Sequence, residues 1–421
     1  MGPRGHPRER RPGALEMSRS SSLWTNPDFR LYWFGVVFSQ LGVRGTIAVN
    51  LFHVFELTGS TALVGVVGLS QAVALLLLSP LGGAFADRFD RRRLLQVTQL
   101  MSMLVTLALA IVTLVDIVEP WHIYISVVLN TAAASFDQPA RQALIPAMVP
   151  PEQLKNAFAL LNPSREVAIL VGPALGGILT AAAGPEAMYF FDAVTYAVLV
   201  AVLAMLHVPP LRAEPSGSLW ASIAEGVSFV RGRPVILQLM ALDLSAMLFG
   251  AYRVVLPELA TDVLDVGPTG YGFLVAAPSA GALLGSAAIF RMKGQREGPV
   301  VLAATASYGL MCILLARSPA MALALLAALG IGFSDAVATT IRHAAVQLET
   351  PDALRGRVSS IYQMASRGGP ALGELNIGAV AGALGPVTAL TIGGLVPIGA
   401  SALLAARNSR VRELEMTPAE P

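Results

Sequence analysis

The chain has 421 residues, 54% of them hydrophobic and only 13% charged, with a formal net charge of +2. Together with a mean hydropathy of +0.64, this excludes an ordinary soluble enzyme and a basic nucleic-acid-binding protein, and it points to an all-α integral membrane protein. The single cysteine, Cys312, lies in an apolar run, so neither an intrachain disulfide nor a cysteine metal cluster is available.

Residues 1–25 are expected to be a disordered basic cytoplasmic tail, because they contain no apolar core of the kind a signal peptide needs. Met17 precedes the Ser-rich stretch and is a second candidate start. His6 stands where a myristoylation signal needs Ser or Thr. Apolar runs then recur near 30–55, 61–86, 94–115, 121–145, 154–183 and 187–207, each long enough for the roughly 20 residues of a spanning helix. They make up an N-terminal six-helix bundle over 26–208. The segment 209–233 reads as a cytoplasmic linker in which Leu219, Ile223, Val227 and Val230 recur at helical spacing, as in a surface-lying amphipathic helix. Six further runs, near 234–257, 270–291, 299–316, 319–345, 357–384 and 386–406, form a C-terminal bundle over 234–406, followed by a cytoplasmic tail over 407–421.

Charge placement fixes the expected orientation. Twelve spans with both termini inside put 24 of the 29 Lys and Arg at cytoplasmic ends and only Arg317 outside; Arg44, Arg165, Arg253 and Arg367 fall within spans. Losing or adding one helix would reverse every later loop and destroy this asymmetry. Four of the arginines crowd the short loop GGAFADRFDRRR, Gly82 to Arg93. The halves also echo one another: PPEQLKN from Pro150 matches TPDALRG from Thr350, which brings Arg165 and Arg367 to nearly equivalent places. Parallel six-helix repeats are one way to build an alternating-access carrier with its substrate site between them. No P-loop, HExxH or GxSxG sequence occurs, so an enzyme is not expected.

Gly83, Asp87, Arg88, Arg91 and Arg92 resemble the loop 2/3 signature of the major facilitator superfamily of secondary transporters. Gly172, Pro173, Gly176 and Gly177 resemble the core of that family's antiporter motif, although Ala159 and Ala168 stand where the motif has Gly. NPDFRLYW, FDQPARQALIPAMVPPEQL, EGVSFVRGRP and LRGRVSSIY are similar to the branch of enterobactin-type siderophore exporters and macrolide efflux proteins; where that branch has Asp after its span-one SxLG, this chain has Val43. The resemblance implies twelve helices in two bundles related by a pseudo-twofold axis. It further implies a gate latch in which Asp87 faces the start of span eleven near Gly356 and Arg91 pairs with Asp137. Fixing topology and binding anionic lipid is the plainer role for the same arginines. The family's cavity, lined by spans one, four, seven and ten, points to Gln40, Arg44, Asn50, Asn130, Asp243 and Asp335.

Charges inside a bilayer are costly and must face a cavity or one another. Here they are Arg44, Arg165, Glu166, Asp192, Asp243, Arg253, Asp335, Arg367 and Glu374. Proton coupling needs an acid that burial tunes to load and release near neutral pH. Asp243, in the apolar setting LMALDLSAM, is the first candidate and Asp335 the second, while Asp192 reads as structural and His53 and His343 as interfacial. The expected function is secondary transport in the cytoplasmic membrane, exporting an amphipathic drug or siderophore-like molecule in exchange for protons, by a monomer with no cofactor, metal or nucleic-acid partner. Import, lipid translocation and a non-transporting sensor on the same fold are the alternatives.

Overall fold

Asn26 starts the first helix in two ways. Its side-chain oxygen accepts the Phe29 N–H at 3.2 Å and its amide donates to the Met148 carbonyl at 2.7 Å, with Pro27 pre-set for the first helical position. The structure, a computed structural model, describes residues 23–88, 90–207, 225, 227–291, 296–407 and 410–414, without the side chains at 79–88, 139, 143, 352, 353, 356, 360, 361, 363–365 and 367.

The long helices are α1 (Pro27–Thr58), α2 (Thr61–Arg88), α3 (Arg91–Leu114), α4 (Pro120–Met148), α5 (Leu154–Ala183), α6 (Pro185–Met205), α7 (Pro234–Phe249), α8 (Gly267–Ile289), α9 (Glu297–Ala316), α10 (Met321–Leu348), α11 (Asp352–Leu384) and α12 (Pro386–Ala406). Ten helical spans among the described residues are long and apolar enough to cross a membrane; α4 and α11, the more polar pair, are not among them. The first two turns between helices are tight: α1 ends on Gly59 in the left-handed region at φ +59°, and the Asp90 carboxylate caps α3 by accepting the Arg93 N–H at 2.9 Å.

The predicted seventh span, 234–257, is not one continuous helix. α7 stops at Phe249, and the chain resumes through a 3-10 turn at Tyr252–Val255, one turn at Leu256–Glu258 and a π-turn at Leu259–Val263. The break has a tertiary cause. A side chain on Gly250 would strike the Tyr308 ring, whose hydroxyl donates to the Gly250 carbonyl at 2.8 Å and satisfies the acceptor that the helix gives up.

The start of α1 and the end of α12 lie on one side of the helical layer, here the termini end. At the opposite, far end, one hydrophobic cluster runs through both bundles, from Ala48, Phe52 and Val67 to Val254, Leu259 and Tyr271. At the termini end the buried clusters are separate, one around Phe29, Leu144 and Leu203 and the other around Ile236, Ile341 and Val358. The described contacts between bundles follow the same division. The Tyr271 hydroxyl donates to the Ala48 carbonyl at 2.7 Å, Phe52 and Tyr271 lie 5.1 Å apart, and Thr61 bonds Glu258.

Two termini-end segments are better anchored than a solvated linker and a free tail would be. Val230 is buried, and Glu225 pairs with Arg357 of α11; Leu219 and Ile223 lie outside the described residues. Beyond α12, Val411 and Leu414 are buried, the Val411 N–H donates to Gln238 at 3.3 Å, and the Gly298 N–H donates to the Leu414 carbonyl at 3.0 Å.

Candidate functional site

α10 carries Asp335, Thr339, His343 and Gln347 at four-residue intervals, so all four lie along one face of the helix. Asp335 sits mid-helix yet its side chain is 51% exposed, which in a spanning segment requires a water-filled space and not lipid. Arg342 turns from this face into the C-terminal bundle and is 1% exposed. Its guanidinium is 2.6 Å from Asp243 Oδ1 on α7 and 3.8 Å from Asp335 Oδ1, and it donates to Thr339 at 2.7 Å. Ser366 of α11 donates to the other Asp243 oxygen at 2.9 Å, and the Thr339 hydroxyl donates to Asp335 at 3.2 Å. His343 packs edge-on against Tyr362 at 4.8 Å between centroids. The two predicted acids thus share one buried cation: Asp243 is locked to it, and Asp335 bridges it to open space.

Arg342 is the functional residue that the sequence alone conceals, since it stands with the cytoplasmic loop charges. It lies seven residues after Asp335, two helical turns, and that spacing was the available signal. Arg141 is concealed the same way. It pairs with Asp137 one turn earlier, and Asp137 also accepts from Gln99 at 3.0 Å. In this structure Asp137 is held by Arg141 and Gln99 and not by Arg91, whose pairing with Asp137 is what the resemblance implies for the outward-facing state. Arg92 donates to the Leu203 carbonyl at 2.6 Å and also to that of Ala204, supplying charged donors to the exposed carbonyls at the end of α6. Replacing Arg92 with Gln is expected to lower the thermal stability of the purified protein by about 1 kcal/mol; an unchanged melting profile would remove the capping role. Gly83 and Gly356 lie within α2 and α11, and the side chains of Asp87, Arg88 and Arg367 lie outside what the structure describes.

Asn130 and Asn50, also predicted to line the cavity, turn elsewhere. Asn130 donates to Thr106 of α3 at 3.4 Å, inside its own bundle, because α4 presents that face to α3. Asn50 and His53 are buried in the far-end seal at 5% and 3% exposure, and His53 meets the Tyr189 hydroxyl at 3.0 Å. Asp192 is buried against α1, where a side chain on Gly42 would collide with it. Gln40 is half-buried on α1.

The glycine-rich runs are contact surfaces. Gly172 and Gly176 admit α1, since a Cβ on Gly172 would lie 2.6 Å from the Arg44 Cβ and one on Gly176 would lie 3.1 Å from Val49. Gly177 faces the other bundle, where a Cβ would lie 2.9 Å from the Gly272 Cα on α8, next to the Pro173 carbonyl that Gly272 approaches. The matching contact joins α2 to α11: a Cβ on Gly378 would lie 2.8 Å from the Gly65 Cα, and one on Gly68 would lie 2.6 Å from the Glu374 Cβ. Glu374, 5% exposed at its side chain, stands 3.7 Å from the Arg253 Nε. Small residues on both sides let these backbones touch. Among the described residues, no group of His, Cys, Asp and Glu is arranged to hold a metal.

A profile of proteins described as transmembrane secretion effectors matches residues 20–421. The chain belongs to the transmembrane secretion effector family. It is 26% identical over 402 residues to the enterobactin exporter EntS of Shigella boydii serotype 4 (strain Sb227), covering 94% of this chain and 96% of that one. It is 25% identical over 402 residues to the protein of that name from Escherichia coli O1:K1 / APEC, with the same coverage. Among solved structures, the nucleoside transporter NupG superposes with a TM-score of 0.70 at 15% identity, covering 90% of this chain and 98% of that one. An inward-facing, unoccupied bacterial homologue of the lysosomal transporter Spinster superposes with a TM-score of 0.69 at 14% identity, covering 91% and 95%. These likenesses carry the fold. This secretion effector relative is a multi-pass membrane transporter of the major facilitator type and not an enzyme.

Proposed function

We propose that the protein exports an amphipathic small molecule, siderophore-like or drug-like, across the bacterial cytoplasmic membrane in exchange for protons, by alternating access. Nearly full-length relatives named as enterobactin exporters carry the export reading. The loop charges put the termini end in the cytoplasm. In that orientation the far-end seal closes the outer side, and the polar face of α10 is open to the cytoplasm, where an export substrate is collected.

Proton coupling is assigned first to Asp335, which meets open space, and not to Asp243, which is held by Arg342 and Ser366. Protonating Asp335 weakens one of the two anchors of Arg342, and a proton shifts a conformational equilibrium only through such a difference between states. Asp335→Asn is expected to abolish substrate accumulation driven by a pH gradient and to preserve exchange of labelled for unlabelled substrate. Accumulation at the wild-type level in the variant would remove Asp335 from coupling.

A further inference from the structure

We propose that the mid-span space between the bundles holds a site for a negatively charged group of the transported molecule, built by Arg44 of α1, Arg165 of α5 and Arg253 beyond α7; it rests on the transport reading above. Three helices and both bundles contribute. Arg44 lies against α5 at the level of Gly172, whose missing side chain makes room for it. Arg165 is seven residues before Gly172, on the same face and about 10 Å nearer the termini end. Its neighbour Ser164 accepts the Trp33 indole N–H at 3.0 Å, which fixes this stretch of α5 against α1. Arg253 reaches the region from the other bundle: it neighbours Tyr271, which is bonded to Ala48, one turn beyond Arg44.

The counter-charge is incomplete. Arg253 pairs with Glu374, 3.7 Å from its Nε and covered by α2 at Gly68, so this one acid answers one of the three cations. Arg44 is in electrostatic range of Arg253, Arg165 and Glu166, so two of its three charged neighbours are cations. Among the described residues no carboxylate is within ion-pair distance of Arg44 or Arg165, and the Nε atoms of Arg44 and Arg253 are buried without hydrogen-bond partners. Asp335 does not fill the deficit, because it is engaged with Arg342 and Thr339. A group of half-buried guanidinium forks with too few acids fits a carboxylate or another oxyanion supplied by the ligand.

The test uses the full chain in phosphatidylcholine nanodiscs and two dyes sharing a xanthene core, anionic carboxyfluorescein and cationic rhodamine 123, with binding read by fluorescence polarisation. Carboxyfluorescein is expected to bind about tenfold or more tightly than rhodamine 123, and to weaken as salt is raised. Arg44→Gln and Arg165→Gln should each weaken it about tenfold without shifting the unfolding midpoint. Arg44→Lys should recover part of the loss, and Arg317→Gln, at an exposed turn, should change nothing. Equal or tighter binding of rhodamine 123, or wild-type carboxyfluorescein affinity in both Gln variants, would overturn the site. A chain that transports rhodamine 123 and does not bind carboxyfluorescein loses the anion site but remains a transporter. One that moves neither dye nor enterobactin loses both.

Discussion

Replacing Arg342 with Ala is expected to destabilise the protein by about 3–5 kcal/mol and to abolish transport. The magnitude follows from burial: the side chain is 1% exposed, and its removal leaves Asp243, 3% exposed, as an uncompensated charge that accepts, among the described residues, from Ser366. The pair itself is not the source of so large a number, since two buried charges give back in desolvation much of what they gain from one another. That distinction is measurable. The double variant Arg342→Met with Asp243→Asn removes both charges at similar volume, and it should recover most of the lost stability while remaining inactive. Thermal unfolding in detergent reads the first effect and vesicle transport the second. A double variant as unstable as Arg342→Ala would show that shape, and not charge, dominates the site.

Gly177→Val is expected to shift the protein away from the far-end-closed state. Its Cβ alone would lie 2.9 Å from the Gly272 Cα on α8 and closer still to the Pro268 carbonyl, both backbone atoms that cannot step aside. Overpacking of this kind costs about 1–3 kcal/mol, which moves a two-state equilibrium by roughly 5- to 150-fold. Because α8 belongs to the other bundle, that cost falls only on the state in which the far ends touch. Gly172→Val would instead crowd Arg44 within the same bundle and should lower stability in every state. Labelling of a cysteine placed at Asn50, buried at 5% in the seal, with a membrane-impermeant maleimide should therefore rise in the Gly177 variant and not in the Gly172 variant. Equal labelling in both would place Gly177 in general packing and outside the gate.

Span positions were legible in the sequence because length, apolarity and loop charge act on each helix separately, and α5 and α12 occupy 154–183 and 386–406 as expected. The break after Phe249 was hidden, since it depends on Tyr308, 58 residues away, reaching the Gly250 carbonyl. The same limit applies to the site. Asp243 and Asp335 were visible as acids in apolar runs, whereas Arg342 stood close enough to a loop to pass for a topology charge. Only the packing of α7, α10 and α11 reveals that it is buried between them. Likewise the α5 motif was readable as a string of small residues, but Gly172 and Gly177 face different bundles, a division set by where α1 and α8 lie.

Export is tested most directly in everted membrane vesicles, whose lumen corresponds to the outer side, energised to acidify that lumen and offered enterobactin beside a panel of amphipathic drugs. The predicted result is accumulation of at least one compound that depends on the protein, collapses when the pH gradient is dissipated, and is lost in Asp335→Asn. Absence of protein-dependent accumulation across the panel, or accumulation confined to right-side-out vesicles, would contradict it.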